Sequence, residues 1–577
     1  MAEYDVVIKN GMIVDGTRLP RYRADLGLKR GRIAKIGRLK PSDGARVLDA
    51  TGMIVAPGFI DLHTHYDAQL FWDPYCSLSG WHGVTSLVIG NCGFGFAPVR
   101  PEMRDRAMLT MTRVEAIPYE SMKRGLPWDW VTFPEFLESV ERAPKSVNIL
   151  PYAPLAPLLV WVMGLEEAKS GRLPTEREHA EICRLLVEAL DAGACGWSAQ
   201  RLGPNSVQRD YDGTPMVTDV MHDETALALA RVLGERSEGF IQLTYLSERG
   251  VDHAHFEALA EASGRPILFN VVQANDRYPE RHRRLLAWLE RCRQRGLRIY
   301  GQGVTTDAGF AFTLKDWNLW DDSAAWREAT VGTVEEKLQK LSDPARREAL
   351  RPDPSGLVTN SFDDVFLVEA ALPVHKELES LTLREIGERL GKHPVDAMLD
   401  IATAEGLATE FYSPSINRRV DLVKEILDSD MVLPGVSDGG AHTKFFTAGR
   451  YPTETIVRLV REHGLFTLEE VHWRLSALPA ACAGFRDRGV LREGAPADVV
   501  VYDYGHLEIL PVEVAHDFPG GEWRRIQKAK GYRWILVNGE VTVEDDEQTG
   551  RPAGMLLRHG VADERSGWRS GAGGAKS

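Results

Sequence analysis

Three short stretches of this chain carry residues able to hold a metal ion and move protons. The first is APGFIDLHTHYD (56–67), an apolar run ending in His63-Thr64-His65. Successive strand side chains point to opposite faces, so two histidines two apart share a face. Two neutral imidazoles placed that way can chelate one divalent cation. The second is TSLVIGNCGFGFAP (85–98), an apolar run that ends at Cys92. A thiolate there is a soft metal ligand, and a buried structural thiol is the competing reading. The third is VLPGVSDGGAH (432–442), with Asp438 at a strand end and His442 in the turn behind it. A carboxylate facing the two histidines can touch the metal and transfer protons.

Other patterns compete and fare worse. With 16 histidines, an HxH is not rare, and a second one, His253-Ala254-His255, does occur. It enters a helix, where an i,i+2 pair does not share a face. The glycines after Cys92 suggest a dinucleotide loop, but Pro98 follows and no helix opens on the third glycine. Gly435-Val436-Ser437-Asp438-Gly439 fits the G-x-S-x-G nucleophile elbow. That motif belongs on an early strand before a helix, and here it lies on the last strand-like run.

The elements that must position these groups alternate. Apolar runs occur at 54–62, 85–89, 147–151, 194–198, 240–245, 266–272, 297–301 and 432–437. Amphipathic helices are expected between several of them, at 176–192, 224–235, 256–263 and 280–295. Strands alternating with helices indicate βα units and a parallel sheet. Eight of them point to an α/β fold, a (β/α)8 TIM-type barrel over 56–482. The segment at about 305–430 breaks the rhythm and is expected as an inserted helical lid over the barrel mouth. Its Trp-rich DWNLWDD (316–322) and the apolar stretch Ile149–Met163 suggest a hydrophobic pocket or a subunit interface.

Both chain ends read as strands, with tight turns expected at Asn10-Gly11, Arg30-Gly31 and Asn538-Gly539. Residues 1–55 and 483–558 are therefore expected to build one small β-sandwich domain rather than two independent elements. The polar, Gly-rich tail at 559–577 is expected to be disordered.

Composition narrows the class. The 577 residues are 44% hydrophobic and 26% charged, enough for a large core. Lys+Arg total 69 against 83 Asp+Glu, a net charge of −14, which argues against a nucleic-acid partner. The six cysteines form no CxxC pair, so zinc-ribbon and thioredoxin readings fall away. The opening MAEYDVVIKNG lacks the basic and apolar regions of a secretory signal. Ile149–Met163 contains three prolines and is shorter than the roughly 20 residues of a membrane span. The expectation is a cytoplasmic enzyme with no membrane partner, acting as a monomer or a homo-oligomer.

Taken together, NGMIVDG, APGFIDLHTHYD, GVTSLVIGNCGFGFAPVRP, GVSDGGAH and DRGVLREGAPADVVVYD resemble the amidohydrolase superfamily, and within it the N-acyl-D-amino-acid deacylase (D-aminoacylase) group. The resemblance implies a hydrolase of a small-molecule amide that uses one or two divalent ions, Zn2+ foremost. It makes His63, His65, Cys92 and Asp438 metal ligands and Asp438 the catalytic acid–base. Members of this group usually carry metal-binding histidines at the ends of the fifth and sixth strands. Here those strands, GFIQLTYLS (239–247) and RPILFNVVQ (265–273), contain none. Gln242, Tyr245, Asn270 and Gln273 stand there as substrate contacts or buried hydrogen-bonded groups, with His222, His253 and His255 nearby. Arg201 is a candidate for a substrate carboxylate or a salt bridge, and His442 for a substrate contact. Rival readings are hydrolysis of another C–N bond (a cyclic amide, carbamate or urea), a metal-free binding barrel, and a serine hydrolase. The metal reading predicts that alanine at His63 or His65 abolishes turnover. It also predicts that a chelator removes activity and that added zinc or cobalt restores it. A serine hydrolase would instead lose activity with Ser437→Ala and ignore chelators.

Overall fold

In the computed structural model, which describes residues 2–245, 252–354 and 358–559, the apolar run at 54–62 is two strands, not one. Ile54–Pro57 joins one sheet and Phe59–Asp61 another. Gly58 is the pivot. Its N–H donates to the Asp498 carbonyl at 2.9 Å, and a Cβ on it would lie 2.2 Å from Thr85 Oγ1. The chain thus changes sheets in a single residue because that residue has no side chain.

One nine-stranded sheet draws on both chain ends. Its strands run in the order 547–548, 540–544, 532–537, 499–502, 54–57, 4–13, 22–29 and 32–37, with 44–49 also pairing 4–13. Ile54–Pro57 and Val499–Tyr502 form the seam, antiparallel, with Val501 opposite Val55. Ile13, Val55, Val499, Val501 and Leu536 are buried in one cluster on this sheet. Hairpins form at Arg30-Gly31 and Asn538-Gly539, all four residues at positive φ, as a two-residue turn between twisted strands requires. The turn expected at Asn10-Gly11 does not form. Tyr4–Ile13 runs straight through it, with a register shift between Ile8 and Gly11. Asn10 takes positive φ there while its N–H donates to Asp25 Oδ1 at 2.8 Å. The same residue pair has made a β-bulge.

The remaining apolar runs form parallel strands: β1 Phe59–Asp61, β2 Val84–Ile89, β3 Asn148–Pro151, β4 Gly196–Gln200, β5 Phe240–Thr244, β6 Ile267–Gln273, β7 Ile299–Val304 and β8 Val432–Pro434. β1, β2 and β3 pair in one sheet. Beyond Tyr152 the chain of β3 continues as Ala153–Pro154, which pairs with β4 and opens a second sheet running to β8. Tyr152 N–H donates to Ile89 O at 3.0 Å, and His65 N–H to Gly439 O at 2.6 Å, where Thr64 and Gly439 form a parallel bridge. Ile60, Val88, Leu150, Phe240, Leu268 and Leu433, from strands of both sheets, meet in one apolar cluster. Two residues further along their strands, Gln242, Asn270 and Gln302 are buried and polar.

Helices Glu176–Asp191, Asp223–Arg236, His253–Ser263 and Glu280–Gln294 lie between strands. The first opens with a Thr175/Glu178 capping box and buries Ile182, Leu186, Ala189 and Leu190, one face at helical spacing. The inserted segment is not only helical. Phe310–Phe312, Phe366–Glu369 and Glu410–Ser413 form a three-stranded antiparallel sheet inside it. Trp317, Trp320 and Trp326 pack in that segment's own core. Trp317 and Trp320, the tryptophans of 316–322, are each 1% exposed, so they line neither a pocket nor an interface. They are structural because an insertion of this size needs a core of its own. No described helix is long and apolar enough to cross a membrane. Apart from His559, the tail at 559–577 lies outside the described residues.

Gly58→Ala should destabilise the protein by about 1–3 kcal/mol, the usual cost of forcing a methyl group into a packed site. Urea unfolding measures this, and Thr85→Ala in the same background should recover part of the loss.

Candidate metal centre

After Asp61 the backbone of the HxH segment is held by side chains on both flanks. On one side, Asn91 Nδ2 donates to Leu62 O at 3.1 Å and Asn91 Oδ1 accepts from Thr64 N–H at 3.1 Å. Thr64 Oγ1 donates to Val88 O. On the other side, Ser437 Oγ donates to His63 O at 2.8 Å. Ser437 is therefore a tie between the first and last strands, and its hydroxyl is engaged with backbone.

Clamped this way, His63 and His65 turn into one buried cluster with Cys92, a donor atom from each lying within 4.8 Å of the others. Cys92 Sγ is 3.5 Å from His63 Nε2 and 3.9 Å from His65 Nε2. Asp438 Oδ1 is 3.1 Å and 3.7 Å from the same two nitrogens. The second nitrogen of His63 is also matched. His63 Nδ1 donates to Gln302 Oε1 at 3.0 Å, which leaves the Nε2 lone pair facing the cluster. Two imidazole nitrogens, a sulfur and a carboxylate oxygen are the donor set of a tetrahedral zinc site, and the two anionic donors balance a dication. The residues present fit such an ion.

Burial opposes charge on the two imidazoles, but Cys92 and Asp438 beside His63, and Glu115, Asp438 and Cys92 beside His65, raise both, so without a cation the imidazoles carry the cluster's positive charge. Burial pushes the Cys92 thiol up, but the His63 charge and hydrogen bonds from His63 and His65 outweigh it and bring it down to about 6. Burial also opposes ionisation of Asp438, and hydrogen bonds from His63 and His65 hold it well below the usual carboxylate range. Three of these residues, Cys92 (φ 59°), Asp438 (φ 45°) and His442 (φ 50°), sit in the left-handed region. Non-glycine residues are held there only by firm surroundings.

The fifth- and sixth-strand residues stand behind Cys92. Gln242 Oε1 accepts from Cys92 N–H at 2.8 Å, and Gln242 Nε2 donates to Asn270 Oδ1 at 2.8 Å. Thr244 Oγ1 lies 3.0 Å from Cys92 Sγ and donates to Asn270 Oδ1 at 2.7 Å. Gln242 thus holds the Cys92 backbone, with both ends of its amide engaged. Tyr245 stacks beside His255, with ring centroids 6.1 Å apart, outside the cluster. Arg201 is engaged by His255 Nε2 at 2.6 Å, Met221 O at 2.6 Å and Asp223 at 2.8 Å, so both terminal nitrogens already have partners. His253 stacks on Trp288 at 4.3 Å and His222 donates to Gly171 O at 2.7 Å. No shifted histidine among the described residues enters the cluster.

A cleft opens from Asp438 and His442. Thr244 and Asn270 form one wall, and Phe310 and Ile416 of the inserted segment face them. Burial lowers His442 to about 4, so it is neutral. Sequence reasoning missed Glu115, which follows the helix Arg104–Val114. Its carboxylate is 3.5 Å from His65 Nδ1 and 3.4 Å from His442 Nε2. Burial raises its carboxyl well above the usual range. The only trace in the sequence is a lone acid among apolar residues, VEAI (114–117).

Known proteins resemble this chain over nearly its whole length. N-acyl-D-glutamate deacylase of Alcaligenes xylosoxydans xylosoxydans is 27% identical over 96% of both chains. D-aminoacylase of the same organism is 26% identical over 97% of this chain and 98% of its own. The crystal structure of N-acyl-D-glutamate deacylase from Bordetella bronchiseptica, complexed with zinc and a phosphonate mimic of the tetrahedral intermediate, is 26% identical. It matches 96% of this chain and 100% of its own with a TM-score of 0.65. The amidohydrolase family model matches residues 46–150 and 172–543. On that match the chain belongs to the amidohydrolase family.

Proposed function

We propose that this protein is a zinc-type hydrolase that removes the acyl group from an N-acyl amino acid, an N-acyl D-amino acid foremost, or from a related N-acyl amide. The observation that carries this reading is the convergence of His63 Nε2, His65 Nε2, Cys92 Sγ and Asp438 Oδ1 beside a cavity. Family membership and the two similar deacylases support the amide as the bond attacked. His63, His65, Cys92 and Asp438 would hold one divalent cation. Such an ion supplies Lewis acidity toward water and toward the amide carbonyl.

The chain's own groups then divide the proton work. Asp438 is ionised, and its side chain is 23% exposed toward the cavity. It accepts a proton as the water oxygen adds to the amide carbon, and returns that proton to the nitrogen as the C–N bond breaks. The products are a carboxylate and an amine. Neutral His442 lines the same cavity, and its Nδ1 has no hydrogen-bond partner. It is suited to donate to the carbonyl oxygen as negative charge develops. The apolar wall of Phe310, Leu319, Ile416 and Phe446 supports an apolar side chain or acyl group on the substrate.

The same reading covers the architecture. β1 to β8 would close as a (β/α)8 barrel over 56–482, and residues 1–55 with 483–558 would form the β-sandwich satellite. The insertion at about 305–430 would wall the barrel mouth. Support comes from the Thr64–Gly439 bridge and the apolar cluster drawn from both parallel sheets. The six cysteines are free thiols, which supports a cytoplasmic setting.

Asp438→Asn should lower kcat by about 10²–10⁴-fold, the range for loss of a general acid–base, with KM little changed. Zinc-loaded protein should release free amine from N-acetyl D-amino acids with apolar side chains, read by an amine assay. Ring opening of cyclic amides without any such release would reassign the substrate.

A further inference from the structure

Glu115 has no part in the chemistry above, yet it occupies the centre of the site. It is 1% exposed, and neither carboxylate oxygen has a hydrogen-bond partner. A buried carboxylate left without partners is among the most unfavourable groups a core can hold. Its nearest neighbours are ring nitrogens, His65 Nδ1 at 3.5 Å and His442 Nε2 at 3.4 Å. Both distances lie just past hydrogen-bond range. The nitrogen of His65 that Glu115 faces is not the one that faces Cys92 and Asp438. When His65 Nε2 gives its lone pair to a cation, the ring proton is confined to Nδ1, directly toward Glu115 Oε1. The carboxylate then gains the partner it lacks, and the imidazole is fixed in the orientation that the ligand role needs.

The inserted segment holds Glu115 where it is. Arg113, two residues earlier, donates through Nε and Nη2 to Asp321 at 3.0 Å and 2.8 Å, and through Nη1 to Thr330 O at 3.2 Å. Asn318 Nδ2 donates to Arg113 O. From the opposite side, His442 N–H donates to Glu115 O at 2.7 Å. Asn318 and Asp321 belong to the Trp-rich stretch 316–322, whose tryptophans anchor it in the insertion core.

We propose that Glu115 is a positioning residue for the metal ligand His65, and that Asn318 and Asp321 of the insertion fix Glu115 through Arg113. The proposal rests on the metal reading above. The test compares wild type with Glu115→Gln and with Glu115→Met, which fills a similar volume without polar atoms. Three quantities are read: zinc affinity by competition with a chromophoric chelator, the visible spectrum of the cobalt-loaded protein, and the melting temperature of the metal-free protein. Both variants should bind zinc about 10–100-fold more weakly and show a shifted cobalt spectrum. Their metal-free melting temperatures should equal or exceed that of wild type, since a buried polar group without partners is gone. Asp321→Asn should weaken zinc binding by a smaller factor. Wild-type affinity and spectrum in both Glu115 variants overturn the positioning role. So does a loss of affinity matched by an equal fall in metal-free stability, the mark of a merely structural residue. Unchanged affinity in Asp321→Asn overturns the role of the insertion. A wild-type protein that binds no zinc overturns the metal reading itself, a result distinct from all of these.

Discussion

The His65 N–H bond to the Gly439 carbonyl, at 2.6 Å, brings the first and last parallel strands together at the point where both carry reactive groups. Ser437 and His63, joined beside it, are 374 positions apart in sequence. The approach is close enough to dictate residue type. Gly440 has φ +90°, and a Cβ on it would lie 2.6 Å from the His65 carbonyl oxygen. With that contact in place, imidazole nitrogens from one strand end come within 3.1 Å and 3.7 Å of a carboxylate oxygen from the other. Without it each would face a different wall. Burial then does the rest, because in a low-dielectric site opposed charges stabilise one another far more than in water.

Much of this was legible in sequence where the information is local. Alternation placed His63 and His65 on one face, and strand-end position marked Cys92 and Asp438. Arg30-Gly31 and Asn538-Gly539 announced hairpins by residue type alone. Asn10-Gly11 carries the same type of signal and makes a bulge, because the residues on both sides of it pair with one strand, Ile8 opposite Leu26 and Gly11 opposite Ala24. The run at 54–62 hid its division at Gly58, since hydrophobicity does not report a packing contact with Thr85. Glu115 was invisible for a similar reason. Its position becomes meaningful only when the end of one helix is brought against the first and last strands.

The fifth and sixth strands contain no histidine and present Gln242, Thr244 and Asn270 beside Cys92. Gln242, Thr244 and Asn270 bond to one another and to Cys92. Buried amides and a hydroxyl are thereby satisfied within the network. Side chains in these positions support Cys92, and the candidate ligands come from β1, the turn after β2 and the loop after β8.

The seam between Ile54–Pro57 and Val499–Tyr502 sets a problem for biosynthesis. When the N-terminal strands leave the ribosome, the edge of Ile54–Pro57 has no mate until more than 440 further residues have been made. At about 5–20 residues per second, that wait is roughly 20–90 s. An apolar strand edge left open for so long can recruit another nascent chain. The seam can therefore close only late in synthesis, whereas a sheet built from neighbouring strands can pair as it is made.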